Sequence, residues 1–319
     1  MSSLTFTQAV EAHRRWMMAA NYSQHTLHGY DVACRMFLKH MGQDLPLAGI
    51  SSDHVEGFMG WALHDVSVPK GSIPRPPKKR KPKTVLNYHI ALSSLWTWAL
   101  ERGHVKVHVV RRVKRPKVNE EPIIPLTVEE MRRLLNGTRR TKAWATNMLV
   151  TNARPTFERD FMIIVLLWDT LIRSSELCQL KIADVHFDRS GGQLYIWGKG
   201  DKPRVVPFTK RTKKVMLDYL ATRDGYGMED LLVLNERGGP MTRDSLGQMI
   251  KRLGEKVGLR VSPHRIRTTG ACHRVMNGTN IVDLQRMMGH SDVKTTMRYV
   301  KAAQHDPENV RRTSPVNGI

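Results

Sequence analysis

Apolar residues recur at intervals of three and four along four stretches of the first hundred positions: Thr7–Ala20, Gln24–Met41, Asp53–Leu63 and Thr84–Arg102. That spacing predicts four amphipathic helices, the second and third starting behind the capping residues Ser23 and Ser52. Between the third and fourth, Val66–Lys83 interleaves Pro69, Pro74, Pro76, Pro77 and Pro82 with basic residues, which predicts a non-helical loop suited to following a chain of phosphates. Lys114–Pro125 carries three prolines and mixed charge and reads as a linker, and the capping-box spacing of Thr127-Val128-Glu129-Glu130 announces a new helix behind it. Further on, Phe157–Trp168 predicts a buried helix and Ser174–Leu180 a short one. The pattern then changes period. Val185–Phe187, Gln193–Trp197 and Arg204–Phe208, joined by turn-rich segments, predict a three-stranded antiparallel meander. Helices resume over Lys210–Thr222, Thr242–Val257, Pro263–Met276, Asn280–Met288 and Asp292 to about Ala303, with the residues after Tyr299 read as a short tail. The chain is therefore mainly α with a small antiparallel β-sheet. Its expected domains are a helical one over residues 1–113, a linker over 114–125 and an α+β one over 126–319, with no internal repeat.

Composition adds the partner. The 319 residues carry 51 Lys and Arg against 29 Asp and Glu, a net charge of +22, while 40% are hydrophobic. That is an ordinary globular mixture with a strong excess of positive charge, and it excludes a small disulfide scaffold and a disordered tail. Apolar runs such as Phe161–Trp168 fall short of the roughly 20 residues that cross a bilayer. The opening Met1-Ser2-Ser3-Leu4-Thr5 lacks a secretory pattern, so a cytoplasmic, nucleoid-associated protein is expected. Cys34, Cys178 and Cys272 have no metal-like or disulfide-like spacing and read as small buried apolar residues. Between Arg75 and Lys117 there are 13 Lys and Arg, with Glu101 the sole acid. Such a run cannot neutralise itself and must face solvent or phosphate; Lys78-Lys79-Arg80-Lys81 also fits a solvated surface or a nuclear-import signal. On the nucleic-acid reading, Lys78, Lys79, Arg80, Lys81, Lys83, Arg111, Arg112 and Lys114 are the candidate DNA-binding residues.

Candidate chemistry starts at His264-Arg265-Ile266-Arg267, placed by Ser262-Pro263 at the start of a helix. His264 and Arg267 share one face beside the positive end of the helix dipole, an arrangement that suits a phosphate. The spacing is unspecific by itself, since His108/Arg111 and His186/Arg189 repeat it. Its setting is specific. Leu171-Ile172-Arg173-Ser174-Ser175-Glu176-Leu177, then Gly198-Lys199-Gly200-Asp201-Lys202-Pro203-Arg204-Val205-Val206-Pro207, then Ser262 to Arg267, then Met288-Gly289-His290-Ser291 with Tyr299 nine residues after His290, follow in order. In these boxes the chain resembles the tyrosine recombinases, also called the integrase family.

The resemblance implies a four-helix core-binding domain and a catalytic domain that together close a C-shaped clamp on duplex DNA. It also implies four protomers on two recombination sites, a 3′-phosphotyrosyl intermediate and a Holliday junction. Cleaving a phosphodiester without metal requires a nucleophile, donors for the charge on the phosphorane, and an acid for the leaving 5′ oxygen. Tyr299 is the expected nucleophile. Arg173 and Arg267 would hold the nonbridging oxygens, and His264 and His290 would donate to the same oxygens or assist the tyrosine proton. Lys199, flanked by both glycines, is the candidate acid with Lys202 as rival, and Glu176 either orients Arg173 or is a plain helix charge. No cofactor or metal is expected, because the covalent intermediate would conserve the bond. In the family, the segment after the nucleophile docks on an adjacent protomer, and Val300, Ala302, Ala303 and Val310 are its apolar groups here. Three positions depart from the family pattern: Leu171 where Gly is usual, Thr268 where a second His is common, and Met288 where Leu is frequent. The alternatives kept open are a type IB topoisomerase-like enzyme and a catalytically silent DNA-binding regulator.

Overall fold

A computed structural model describes residues 4–67, 78–119, 121–139, 154–197 and 203–304. The chain forms two compact units that meet in sequence at Glu121 and Pro122.

Unit one is built on α1 (Phe6–Ala19), α2 (Gln24–Met41), α3 (Ser52–His64) and α4 (Pro82–Glu101), with the short α5 (Val109–Arg112) after them. Local chemistry sets the ends. The Ser23 hydroxyl accepts from the Thr26 N–H to start α2, and Gly42 closes it in the left-handed region at φ 71°. Ser51, one residue earlier than expected, caps α3. Pro82 is not the last residue of a loop but the first turn of α4, where its missing N–H costs nothing. Val85, Tyr88, Leu92, Leu95, Trp96 and Ala99 then line the buried face of α4 at helical spacing. Trp96 and the rings of Phe6, Phe37 and Phe58 form the centre, Phe37 lying 5.1 Å from Phe6 and 5.2 Å from Phe58.

The basic loop is partly paired. Strands β1 (Val66–Ser67) and β2 (Lys78–Lys79) align antiparallel, Val66 opposite Lys79. Arg80 departs from the expectation of a free surface cation. Its guanidinium lies 2.8 Å from Asp65 and 4.9 Å above the Trp61 ring, leaving the side chain 12% exposed. Lys79, Lys81, Lys83, Arg111, Arg112 and Lys114 are exposed, with Lys81 3.5 Å from Glu121. His108 caps α5 through its Nδ1, which accepts from the Arg111 N–H.

Unit two starts with α6 (Val128–Gly137), where Thr127 and Glu130 exchange the two hydrogen bonds of a capping box. Helix α7 (Phe157–Thr170) is buried nearly all round, and α8 (Ser174–Gln179) follows a sharp corner. Strands β3 (Val185–Phe187), β4 (Gly191–Trp197) and β5 (Pro203–Thr209) form an antiparallel meander in the order β3-β4-β5, Leu194 pairing with Val185 on one side and Val206 on the other. Then come α9 (Lys210–Leu220), α10 (Arg243–Lys256), α11 (Pro263–Met276), α12 (Ile281–Met288) and α13 (Val293–Gln304). Helix α7 is wrapped by α9 and α11. The close approach of α11 depends on Gly270, where an added Cβ would collide with the Trp168 carbonyl and stand 2.6 Å from the Leu171 side chain. Helix α13 runs past Tyr299 to Gln304, close to its expected end near Ala303, so the first residues of the segment read as a tail are helical, and Ala303 is 1% exposed. Val310 lies outside the described residues. All three cysteines are free and buried. Among the described residues no helix is long and apolar enough to cross a membrane.

Candidate active site

Helix α7 ends without a glycine. Leu171 takes the left-handed conformation at φ 57°, ψ 25°, and is fully buried. The strain of that conformation for a non-glycine residue is about 1–2 kcal/mol, and burying a leucine side chain contributes about 1.5–3 kcal/mol, so packing offsets the conformation. The corner turns the Leu171 carbonyl onto Arg267, whose Nη1 donates to it. Two residues on, Arg173 is the N-cap of α8. Its N–H donates to Glu176 Oε2 at 2.7 Å and its Nη1 to Glu176 Oε1 at 2.8 Å, so Glu176 is tied to both ends of Arg173.

Arg204, which sequence reasoning did not single out, grips the same carboxylate with two bonds, Nη1 to Oε1 at 2.9 Å and Nη2 to Oε2 at 2.7 Å. Burial alone would raise the Glu176 carboxyl. Donation from Arg204 and from the Arg173 N–H overcomes it and holds the group at about 2, ionised at every working pH. The only advance signal for Arg204 was its place in the Lys-Pro-Arg run that opens β5.

Three consecutive carbonyls at the end of α12 each receive one guanidinium. Arg204 Nε donates to Met287 O at 3.0 Å, Arg267 Nη2 to Met288 O at 2.8 Å, and Arg173 Nη2 to Gly289 O at 2.9 Å. The reason is general: the last carbonyls of a helix have no intrahelical partner and carry the negative end of its dipole. Gly289 makes this possible by taking φ 62° at the helix end, and an added Cβ would stand 3.1 Å from the Arg204 guanidinium. Three cations against one carboxylate leave a concentrated positive centre. Arg267 feels it: burial and then the Arg173 charge bring its pKa down to about 10, still protonated at neutral pH. Its side chain is almost wholly buried, whereas the Arg173 side chain is 42% exposed.

Directly after Gly289, the His290 Nδ1 is 2.9 Å from the Thr296 hydroxyl, and its ring stacks on that of Tyr299 at 6.1 Å between centroids and 18° between planes. Thr296 is fully buried on α13, one turn before Tyr299. It too was missed; its i,i+3 relation to Tyr299 is a weak signal that many threonines share. Desolvation first, then the charges of Arg267, Arg173 and Arg204, lower His290 to about 4. His264 on the first turn of α11 is lowered by desolvation and by Arg267 and Arg298. Both imidazoles are thus pushed toward the neutral form in the DNA-free protein. Tyr299 itself is 6% exposed. The structure thus gathers Arg173, Glu176, Arg267, His290 and Tyr299 around the end of α12, with His264 within electrostatic reach. Lys199 and its rival Lys202 lie outside the described residues. His273, read as structural, accepts a hydrogen bond from Trp168 Nε1 at 3.2 Å.

A helical unit is thus followed by an α+β unit that gathers arginines, imidazoles and a tyrosine at one helix end. Residues 125–305 match the phage integrase family, and the chain belongs to it, the family of the tyrosine recombinases. It is 36% identical over 194 residues to the tyrosine recombinase XerA of Thermococcus onnurineus, covering 60% of this chain and 62% of that protein. Against the tyrosine recombinase XerC of Corynebacterium efficiens it is 27% identical over 306 residues, 94% of this chain and 88% of that one. The chain thus spans less than two thirds of the first relative and most of the second. Its fold matches the Tn1549 transposon integrase in complex with circular intermediate DNA, at TM-score 0.73 and 20% identity over 97% of this chain and 99% of that one. It also matches XerH site-specific recombinase in a post-cleavage complex, at TM-score 0.71 and 19% identity over 97% and 84%.

Proposed function

We propose that this protein is a site-specific DNA recombinase that cuts and rejoins duplex DNA through a covalent bond to Tyr299. The observation that carries the reading is the meeting of Arg173, Arg267 and His290 at the end of α12 with the Tyr299 ring stacked on His290. In the proposed step the Tyr299 Oη attacks the scissile phosphorus; the new P–O bond forms as the bond to the 5′ oxygen breaks. The tyrosine proton passes to a neutral imidazole, His264 or His290, and the 5′ oxygen takes its proton from Lys199. Arg173 and Arg267 hold the nonbridging oxygens, where charge builds on the phosphorane. His290 Nδ1 is engaged with Thr296, so the bond to substrate falls to its Nε2. Glu176 holds Arg173 in place. The phosphotyrosyl bond conserves the energy of the phosphodiester, so a second exchange rejoins strands without a nucleotide cofactor.

Residues 1–113 serve as the core-binding domain and 126–319 as the catalytic domain, closing around DNA, with the exposed Lys79, Lys81, Lys83, Arg111, Arg112 and Lys114, along with Lys78, binding phosphates. Four protomers act on two sites, and the protein works with the nucleoid in the cytoplasm. Integration, transposition and dimer resolution all use this chemistry. The topoisomerase and silent-regulator alternatives are not favoured, since the relatives named above are recombinases and integrases.

The test uses a nicked duplex carrying the protein's own binding site, found by selection from random DNA. Wild type should accumulate a covalent protein–DNA adduct, in excess EDTA as well as without it. Tyr299→Phe should bind the same duplex and form none. An adduct formed by Tyr299→Phe, or a strict divalent-metal requirement, would overturn the assignment.

A further inference from the structure

We infer that Arg204 is a positioning residue of the cleavage site, acting on the scissile phosphate through Glu176 and Arg173. This rests on the proposed function above. Sequence and family boxes point to two arginines, yet three converge here, and the third is the one bonded most fully to the framework of the site. Its guanidinium is bidentate on Glu176, at 2.9 and 2.7 Å, and its Nε closes on Met287 O at 3.0 Å. With the side chain 13% exposed, it is poorly placed to meet DNA itself. What it can do is fix the carboxylate that fixes Arg173.

Competition for Glu176 is the physical basis. Glu176 has two oxygens and accepts four bonds: one from the Arg173 N–H, one from the Arg173 guanidinium and two from Arg204. Without Arg204, a buried carboxylate keeps only one cation, and the strongest rearrangement open to it is to draw the half-exposed Arg173 guanidinium further onto itself. That movement takes Arg173 away from the phosphate. Arg204 therefore satisfies Glu176 from behind and leaves Arg173 free to present its outer edge. The Met287 bond adds a second anchor, since it ties β5 to the same helix end that Arg173 and Arg267 use. A shorter or non-planar cation cannot keep both anchors at once, because the three bonds use Nε and both terminal nitrogens of one fork.

The test is a double-mutant cycle on single-turnover cleavage of the nicked duplex, with DNA affinity and thermal melting recorded for each variant. Arg204→Gln should slow cleavage about 100-fold, the scale of a misplaced positioning group, with affinity within about a factor of three. Arg204→Lys should recover only part of the rate. The deciding arm combines Arg204→Gln with Arg173→Ala: with Arg173 gone, the second change should cost less than about threefold more, because both act through one group. A methylphosphonate at the scissile position, which removes the charge Arg173 neutralises, should likewise shrink the Arg204→Gln defect. A wild-type rate for Arg204→Gln would overturn the inference, as would fully multiplicative losses in the double variant. If Arg204→Gln does not fold, Arg204→Lys carries the same cycle. Failure of the wild-type protein to form an adduct at Tyr299 would instead remove the proposed function, so the two failures are distinct.

Discussion

His290 is neutral in the free protein because desolvation and three arginines oppose its protonation, yet the ligand it awaits is an anion. Desolvation and then the arginine charges hold His290 near 4; a phosphate held by Arg173 and Arg267 offsets the charges, so its pKa should rise on binding. The sign follows from linkage: a complex that binds more protons than its parts gains affinity as pH falls, here until the free value of about 4 is reached. Calorimetry at pH 6 in buffers of different ionisation enthalpy should therefore record proton uptake on binding to the specific site. His290→Gln should take up fewer protons, and equal uptake by the two proteins would count against a phosphate beside this ring. Tyr299, Arg173, Arg267 and His290 were singled out in the sequence through the ordered boxes that resemble the tyrosine recombinases, and the fold brings them together. Arg204 and Thr296 were not, since their value lies in what they touch: a carboxylate 28 positions upstream and an imidazole on the preceding turn of chain.

Helix α11 shows how an element serves the site. Arg267, Gly270 and Arg274 lie at i, i+3 and i+7, one face, and that face covers the end of α7. Arg267 donates to Leu171 O and Arg274 donates to Asp169 O at 2.7 Å, so two guanidiniums satisfy carbonyls that a Gly-ended helix would satisfy with backbone N–H groups. Asp169 in turn accepts from Thr209 and Thr212, fastening the end of β5 and the start of α9 to the same corner. Gly270→Ala should force α7 and α11 apart, lowering stability by about 1–3 kcal/mol and slowing cleavage through the displaced Leu171–Arg173 corner. Urea unfolding and single-turnover rates measure both. An unchanged stability would mean the helices can separate without strain. The helices and the meander were legible because period 3.6 and period 2 are written in the pattern, as at α2 and α11, whose spans match the expectation residue for residue. Their ends were less so. Pro82 reads as a breaker until its place at N1 is seen, whereas α13 ends within a residue of the expected Ala303.

For the whole molecule, charge is the governing quantity, and the structure sorts its members. A net charge of +22 says polyanion, but Arg80 is held by Asp65 and Trp61 and supports the fold of unit one, not the surface. Replacing Lys79, Lys81 and Lys83 together with Gln should weaken binding to all DNA sequences alike and flatten the slope of log affinity against log salt, by up to about 0.9 for every phosphate no longer neutralised. An unchanged slope would return these lysines to a solvated surface. Sequence composition could not separate Arg80 from its neighbours, because the partner that neutralises it stands 15 positions away, beside the paired β1 and β2.

The central claim is that the tyrosine stacked on His290 becomes the covalent carrier of the DNA strand. Protease digestion of the trapped protein–DNA adduct, followed by mass spectrometry of the nucleotide-bearing peptide, tests it most directly. The predicted result is a single modified residue, Tyr299, joined to a 3′ phosphate, with a free 5′ hydroxyl on the released strand. Attachment through any other residue, or through a 5′ phosphate, would contradict it.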